Sequence, residues 1–365
     1  MPVKINKPTV LIAPLDWGLG HATRCIPVIQ AFLKEECNII IAASGATQQL
    51  LQNEFPNLQF IELFGYKIQY SKSRWLLPFN IIFQIPKIIK AIKKEHRWLK
   101  KTITQYPIDL VISDNRFGLY SNQVTSVFIT HQLTIKAPFV WIEKILRKLN
   151  YWFINHFSEC WIPDNASDFN LAGDLSHPAE MPDIPASYIG LLSRFKRDAS
   201  ISIKYKYCFL LSGPEPQRTI LEKMILKDID LLKEKVLLVR GKPNSNESLD
   251  LTDSIEVRNH LPQNELGQAL QQSEYIVCRS GYTSLMEIIS LQKKSIVIPT
   301  PGQTEQEYLA ERLYQQHWCY TIEQKDFHLI HSLESAGEFD YILPEIKNSD
   351  LQFFIHLFVE KTSMI

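Results

Sequence analysis

Twelve short apolar runs recur along the chain, and they are continuous rather than alternating. In the first half they read TVLIAPL, NIIIAAS, LQFIEL, DLVISD, TSVFIT and ECWIPD. In the second half they read KYCFLLSG, KVLLVRG, SIEVRNHL, YIVCRSG, SIVIPTP and CYTI. A strand with one face in water alternates apolar and polar residues, whereas a strand covered on both faces does not. Helical patterns such as ATRCIPVIQAFLKEE lie between the runs. The alternation predicts an α/β fold of parallel sheets clothed by helices. The series pauses near ASYIGLLSRFKRDAS and then restarts. Two doubly wound, Rossmann-like domains facing a cleft are therefore expected: residues 1–190, a linker at 191–200, and residues 201–345. The apolar segment in 346–365 is expected to be a terminal helix that packs back on the first domain. Open parallel sheets bind ligands beyond the carboxyl ends of their strands, so the site is expected in that cleft.

The chain has 365 residues, 45% of them hydrophobic and 21% charged, which is an ordinary globular composition with ample core. The formal net charge of zero hides a split. Residues 1–160 hold 19 Lys and Arg against 10 Asp and Glu, and the remainder holds 20 against 29. Halves of opposite sign point to different partners. The six cysteines are scattered, without CxxC or metal spacing, and read as buried free thiols in a reducing compartment. The first residues run straight into a strand pattern and lack the signature of a signal peptide. No apolar run approaches the ~20 residues of a membrane span. A cytoplasmic location is expected, peripheral on the inner face of the cytoplasmic membrane.

Three loops at expected strand ends carry unusual chemistry: DWGLGHATR, SGPEPQR and RSGYTSLME. A fourth, PTPGQTEQEYLAERL, adds polar residues just before a helix. Together they resemble the MurG-related glycosyltransferases of the GT-B fold. The strongest match is CRSGYTSLMEIISLQKKSIVIPTPGQTEQEYLAERL, from Cys278 to Leu313. It has Arg-Ser-Gly, a Glu six residues after the Gly, a strand ending in Pro, and a polar loop. GLGHATR is similar to the family's N-terminal Gly-rich loop, and SGPEPQR to its Gly-Ser-rich turn ending in Arg. Two departures stand out. The first loop reads Gly18-Leu19-Gly20-His21 instead of GxGGH, and SDNRFG stands where MurG has a Gly-rich loop. The resemblance therefore implies a paralogue with a different acceptor.

His21 is the main candidate for catalysis. Sugar transfer to a hydroxyl needs a base that takes the proton, and His titrates near working pH. Asp114, His131 and Asp16 are rivals at strand ends of the same half. Gly18 and Gly20 let backbone approach a ligand. Ser280, Gly281 and Tyr282 begin a helix whose N–H groups and dipole suit a diphosphate. Arg218 and Arg279 offer guanidinium groups to diphosphate or ribose. The resemblance further implies that Glu287 accepts the ribose hydroxyls and that main-chain groups at Leu261 recognise uracil. It also implies that Gln303, Glu305 and Gln306 contact the donor sugar. No Asp-x-Asp occurs in the strong motif regions, and the resemblance implies an inverting, metal-independent transfer from a UDP-sugar co-substrate.

The stretch from Lys72 to Lys101 interleaves lysines with apolar and aromatic residues, and FVWIEKILRKLNYWFINHF is similar. Basic amphipathic helices with aromatics suit an anionic membrane surface, so a lipid, lipid-linked or glycan acceptor is expected there. No recognition motif points to nucleic acid. Two other readings share the fold: a UDP-sugar 2-epimerase, and a non-catalytic nucleotide-sugar or membrane-binding protein.

Overall fold

The computed structural model describes residues 7–65, 77–137, 139–167, 169–243, 245–345 and 351–363, with the backbone alone for 77–85, 362 and 363. The chain divides into two compact units, Met1–Leu192 with Lys347–Ile365, and Ser193–Ile346.

The first unit runs β1 (Thr9–Pro14), α1 (Leu19–Lys34), β2 (Asn38–Ala43), α2 (Gly45–Glu54), β3 (Gln59–Glu62), α3 (Leu77–Gln105), β4 (Leu110–Asp114), β5 (Thr125–Ile129), α4 (Val140–Ile154), β6 (Glu159–Ile162) and β7 (Ala186–Tyr188). Its sheet is parallel throughout, in the order β3-β2-β1-β4-β5-β6-β7. Every residue of β1 and β4 is buried, as continuous apolar runs covered on both faces require. The edge strand β7 has no apolar run; its three residues are half-buried, and the sequence gives no sign of it.

The second unit runs β8 (Tyr205–Leu210), α5 (Gln217–Leu226), β9 (Val236–Val239), β10 (Ile255–Arg258), α6 (Gln263–Gln271), β11 (Ser273–Cys278), α7 (Tyr282–Ser290), β12 (Lys294–Val297), α8 (Thr304–Gln315), β13 (Tyr320–Thr321) and α9 (Leu329–Glu338). Its sheet is again parallel, in the order β10-β9-β8-β11-β12-β13. The core gathers Phe209, Leu221, Ile225, Val236, Val277 and Ile296 between strands and helices.

The terminal helix α10 (Leu351–Ser363) lies on the first unit. Phe354 and Phe358 meet the buried Trp161 edge-on, at 5.1 and 4.8 Å between ring centroids. Gln352 and His356 both bond the carboxylate of Glu35, which caps the C-terminus of α1.

Of the Lys72–Lys101 stretch, residues 72–76 lie outside the described residues. From Pro86 onward α3 is an ordinary amphipathic helix. Leu99 is buried against the sheet and Ile92 against Leu15 and Phe153, while Lys93, Lys94, Lys100 and Lys101 stand in solvent. The apolar face expected at a membrane is thus spent on the core here, because Ile92 and Leu99, seven residues apart, fall on one face of the helix. Helix α4 differs. Trp141, Ile145, Leu149 and Trp152, spaced at helical intervals, are exposed, beside the exposed Lys144 and Lys148. Its inward side is fixed by Phe153, Ile154 and Asn150, whose amide donates to the carbonyls of Gln132 and Leu133.

Candidate functional site

In the first unit the strand order reverses between β1 and β4, whose last residues, Pro14 and Asp114, pair in register. This is a topological switch point, where open α/β sheets take their ligands. The chain leaves β1 through Gly18 at φ 99°, left-handed backbone that favours glycine, and Gly18 caps α1. The helix starts at Leu19, not at Ala22 as DWGLGHATR suggests, so Gly20 and His21 lie in its first turn. That turn aims His21 and Arg24, three residues apart, at the carboxylate of Asp114 (side-chain oxygens fully buried).

The His21 Nδ1 lies 2.9 Å from Asp114 Oδ2, and Arg24 Nε lies 3.0 Å from both oxygens. Arg24 Nη2 also reaches Asp114 Oδ1, and Nη1 lies 3.2 Å from His131 Nδ1. Burial alone would push the Asp114 carboxyl up, but Arg24 and His21 hold it down at about 2. His21 is lowered from its ordinary value by burial and by Arg24, against the upward pull of Asp114. Its Nδ1 also stands 2.8 Å from Arg24 Nη2, so it either donates to Asp114 or accepts from Arg24. An ionised Asp114 favours donation, which leaves the lone pair on Nε2. That is the arrangement of an oriented base. Asp16 is separate from this cluster. Its Oδ1 is 3.6 Å from Nη2 of the buried Arg116, which also bonds Glu95 at 2.7 Å.

The second unit has its own switch point between β8 and β11, where Leu210 pairs with Cys278. Gly281 caps α7, and a Cβ added there would meet nothing within 4 Å. Tyr282 is the first residue of α7, and the Ser280 hydroxyl donates to the carbonyl of Gln306. Gln303 caps α8, and Glu305 stands in its first turn. The Gln306 amide donates to Gln303 Oε1 at 2.6 Å, while its oxygen accepts from Thr300 N–H. Leu261 is buried just before α6.

Two arginines are placed otherwise than expected. Arg279 is 2% exposed and points inward, donating to the carbonyls of Ile298, Pro299 and Gln217 and to Gln324 Oε1. Burial lowers it to about 10. These bonds from Nη1 and Nη2 brace the strand ends, while its buried Nε has no hydrogen-bond partner among the described residues. Arg218 is also buried, bonding Glu215, Thr219 and the carbonyl of Arg240 and pairing with Glu222. Glu287 is buried too, and both of its oxygens are taken by Arg194, at 2.5 Å to Nε and 3.1 Å to Nη2.

Sequence reasoning passed over Arg24 and Arg194. Arg24 was signalled by its spacing after His21 on a helix. Arg194 had no signal, because it sits in a polar segment ninety-three residues from Glu287. Among the described residues no group of three or more His, Cys, Asp and Glu could hold a metal ion, and all six cysteines are buried and free. No described helix is long and apolar enough to cross a membrane.

Residues 208–340 match the family model described as the glycosyltransferase family 28 C-terminal domain. Residues 15–135 match the model described as glycosyl transferase family 1. No curated protein matches the chain in sequence. Among solved structures, the glycotransferase of kitacinnamycin is similar with a TM-score of 0.63 at 11% identity, covering 98% of this chain and 96% of that one. MurG of Acinetobacter baumannii gives 0.56 at 11% identity, covering 97% and 99%. UGT2 of Phytolacca americana, solved with UDP-2-fluoroglucose and pterostilbene, gives 0.59 at 13% identity, covering 98% and 94%. At these identities the likeness is one of fold: two Rossmann-like α/β units, as in GT-B glycosyltransferases.

Proposed function

We propose that the protein is a glycosyltransferase that moves a sugar from a UDP-sugar to an acceptor hydroxyl, with inversion and without a metal. The observation that carries this reading is His21 held by Asp114 at the switch point of the first sheet. In the reaction the acceptor oxygen bonds to the anomeric carbon as the bond to the UDP oxygen breaks. The acceptor proton passes to His21 Nε2, and Asp114 balances the imidazolium that forms. Arg24 holds Asp114 in place. The second unit holds the donor. The N-terminus of α7 at Gly281 stabilises the diphosphate charge, Glu287 accepts the ribose hydroxyls, and main-chain groups at Leu261 meet the base. Gln303, Glu305 and Gln306 contact the sugar. The match of residues 208–340 to a glycosyltransferase C-terminal domain supports this division of labour.

The acceptor is a lipid, lipid-linked sugar or glycan met at an anionic membrane surface. The exposed Trp141, Ile145, Leu149 and Trp152 on basic α4 support that partner.

The test is release of nucleotide from a panel of nucleotide-sugars by the purified protein, with and without excess EDTA. Hydrolysis of a UDP-sugar that survives EDTA is expected. Turnover of none of the panel overturns the donor assignment, and activity lost to EDTA and restored by Mg²⁺ overturns metal independence.

A further inference from the structure

An ionised carboxylate offers about four lone-pair sites, two on each oxygen. Arg194 occupies one on each oxygen of Glu287, and among the described residues it is the only partner of that carboxylate. One site per oxygen is left, which is the count a vicinal diol needs. Arg194 is itself held. Its guanidinium carbon lies 4.8 Å from the ring centroid of Phe195. The Ser193 hydroxyl donates to the Phe195 carbonyl at 3.0 Å and accepts from the Phe195 N–H at 3.1 Å, closing a tight turn. Phe195 is buried against Gly267 of α6, where a Cβ would come within 2.6 Å of its ring. The Asp198 N–H donates to Gln271 Oε1 at 2.7 Å. Segment 193–198 is thus strapped to α6 and delivers a guanidinium fork to α7.

We infer that Arg194 is the positioning residue for the ribose of the donor nucleotide. Clamped by the fork, Glu287 cannot turn about its terminal torsion, and it presents one lone pair to the 2′-hydroxyl and one to the 3′-hydroxyl. A lysine supplies charge at the same place but no planar fork. The inference rests on the donor reading above and adds a residue that selects ribonucleotides over 2′-deoxyribonucleotides.

Calorimetric binding of UDP and of 2′-deoxy-UDP to the full chain tests it, with thermal unfolding as the check on folding. The wild type should prefer UDP by about tenfold or more, the scale of one hydrogen bond to a charged group. Arg194→Lys should still bind UDP but lose most of that preference. Gly267→Ala displaces Phe195 while leaving Arg194 and Glu287 intact, and it should reduce the preference by a smaller factor. A residue that only stabilises the fold would lower the unfolding temperature and leave the ratio alone. A folded Arg194→Lys with the wild-type ratio overturns the inference and leaves the donor reading standing. If Arg194→Lys does not fold, an unchanged ratio in Gly267→Ala overturns it. A wild type that binds both equally overturns this inference and leaves the donor reading standing, whereas one that binds neither nucleotide overturns the donor reading and this inference together.

Discussion

His21 has two neighbours that pull its titration in opposite directions. Burial and Arg24 disfavour the imidazolium, while Asp114 favours it, and the net direction is down. A base lowered in this way stays neutral, and therefore able to accept a proton, to pH values below the usual ~6.5 of His. The acid limb of kcat/KM should accordingly fall below that value. Arg24→Gln removes one of the lowering charges and should move the limb upward; a limb that does not move separates Arg24 from the chemistry. His21→Ala should lower kcat about 10²-fold or more while UDP affinity, measured separately, stays the same. Near-normal turnover in that variant would shift the base to His131 or Asp16. The same cluster sets acid stability. The Asp114 carboxyl is held at about 2 against an ordinary 3.8, so its contribution is present above the ordinary value and lost as pH falls through that interval. One unit is worth about 1.4 kcal/mol, so the loss is about 2 kcal/mol. His21 is also depressed, so protonating it opposes folding and adds to the loss once pH falls below ~6.5. Asp114→Asn should flatten the acid arm of a stability–pH curve between pH 4 and pH 2, and an unchanged curve would show that the pair carries none of it. His21 and Asp114 were legible as candidates because each ends a strand pattern in an odd loop. The placement of Arg279 was not legible in the same way. A residue type and a strand-end position do not say which way a guanidinium turns, and here the carbonyls of Ile298 and Pro299 decide it.

At the scale of elements, burial explains what the sequence revealed and what it hid. β1, β4 and β11 are continuous apolar runs because helices cover both faces of the sheets, and they were readable at once. β7 is short, polar and at an edge, so no pattern marks it. The Arg194 strap has no periodicity either, since its place is fixed by Phe195 against Gly267, a contact between segments far apart in sequence. The basic helices α3 and α4 looked alike in sequence, yet tertiary packing separates them. Ile92 and Leu99 of α3 are core, whereas Trp141 and Trp152 of α4 are 63% and 59% exposed. An apolar stripe facing water beside lysines is suited to a lipid surface, where aromatic rings sit at the headgroup level and each nearby cation contributes about 1 kcal/mol. Changing Trp141 and Trp152 to Glu should therefore abolish sedimentation with anionic vesicles, with little effect on UDP binding or on melting temperature. Changing Lys93 and Lys94 of α3 should weaken vesicle binding only modestly and in a salt-dependent way. Equal sedimentation of the tryptophan variant and the wild type would refute the role of α4.

The whole molecule uses one device twice. Each unit is a parallel sheet whose order reverses beside its first strand, and each places its candidate groups at that reversal: Asp114 and α1 in one, Gly281 and α7 in the other. The charge split between the halves follows the proposed partners, with the basic half meeting the acceptor and membrane. Such a division means that donor binding and proton transfer should be separable by mutation. On the proposed division UDP is held by the native second unit and not by the unfolded chain, and it should then stabilise the protein by about 2.7 kcal/mol at a hundred times its Kd. Thermal unfolding followed with and without UDP measures this directly. Glu287→Ala removes the proposed acceptor of the ribose hydroxyls and should erase most of the shift, since a hydrogen bond to a charged group is worth about 1.5–3 kcal/mol. His21→Ala lies in the other unit and should keep the full shift despite its lost turnover. A shift that vanishes with His21→Ala, or that survives intact in Glu287→Ala, would mean that the nucleotide is held by the first unit, and the proposed roles of the two halves would have to be exchanged.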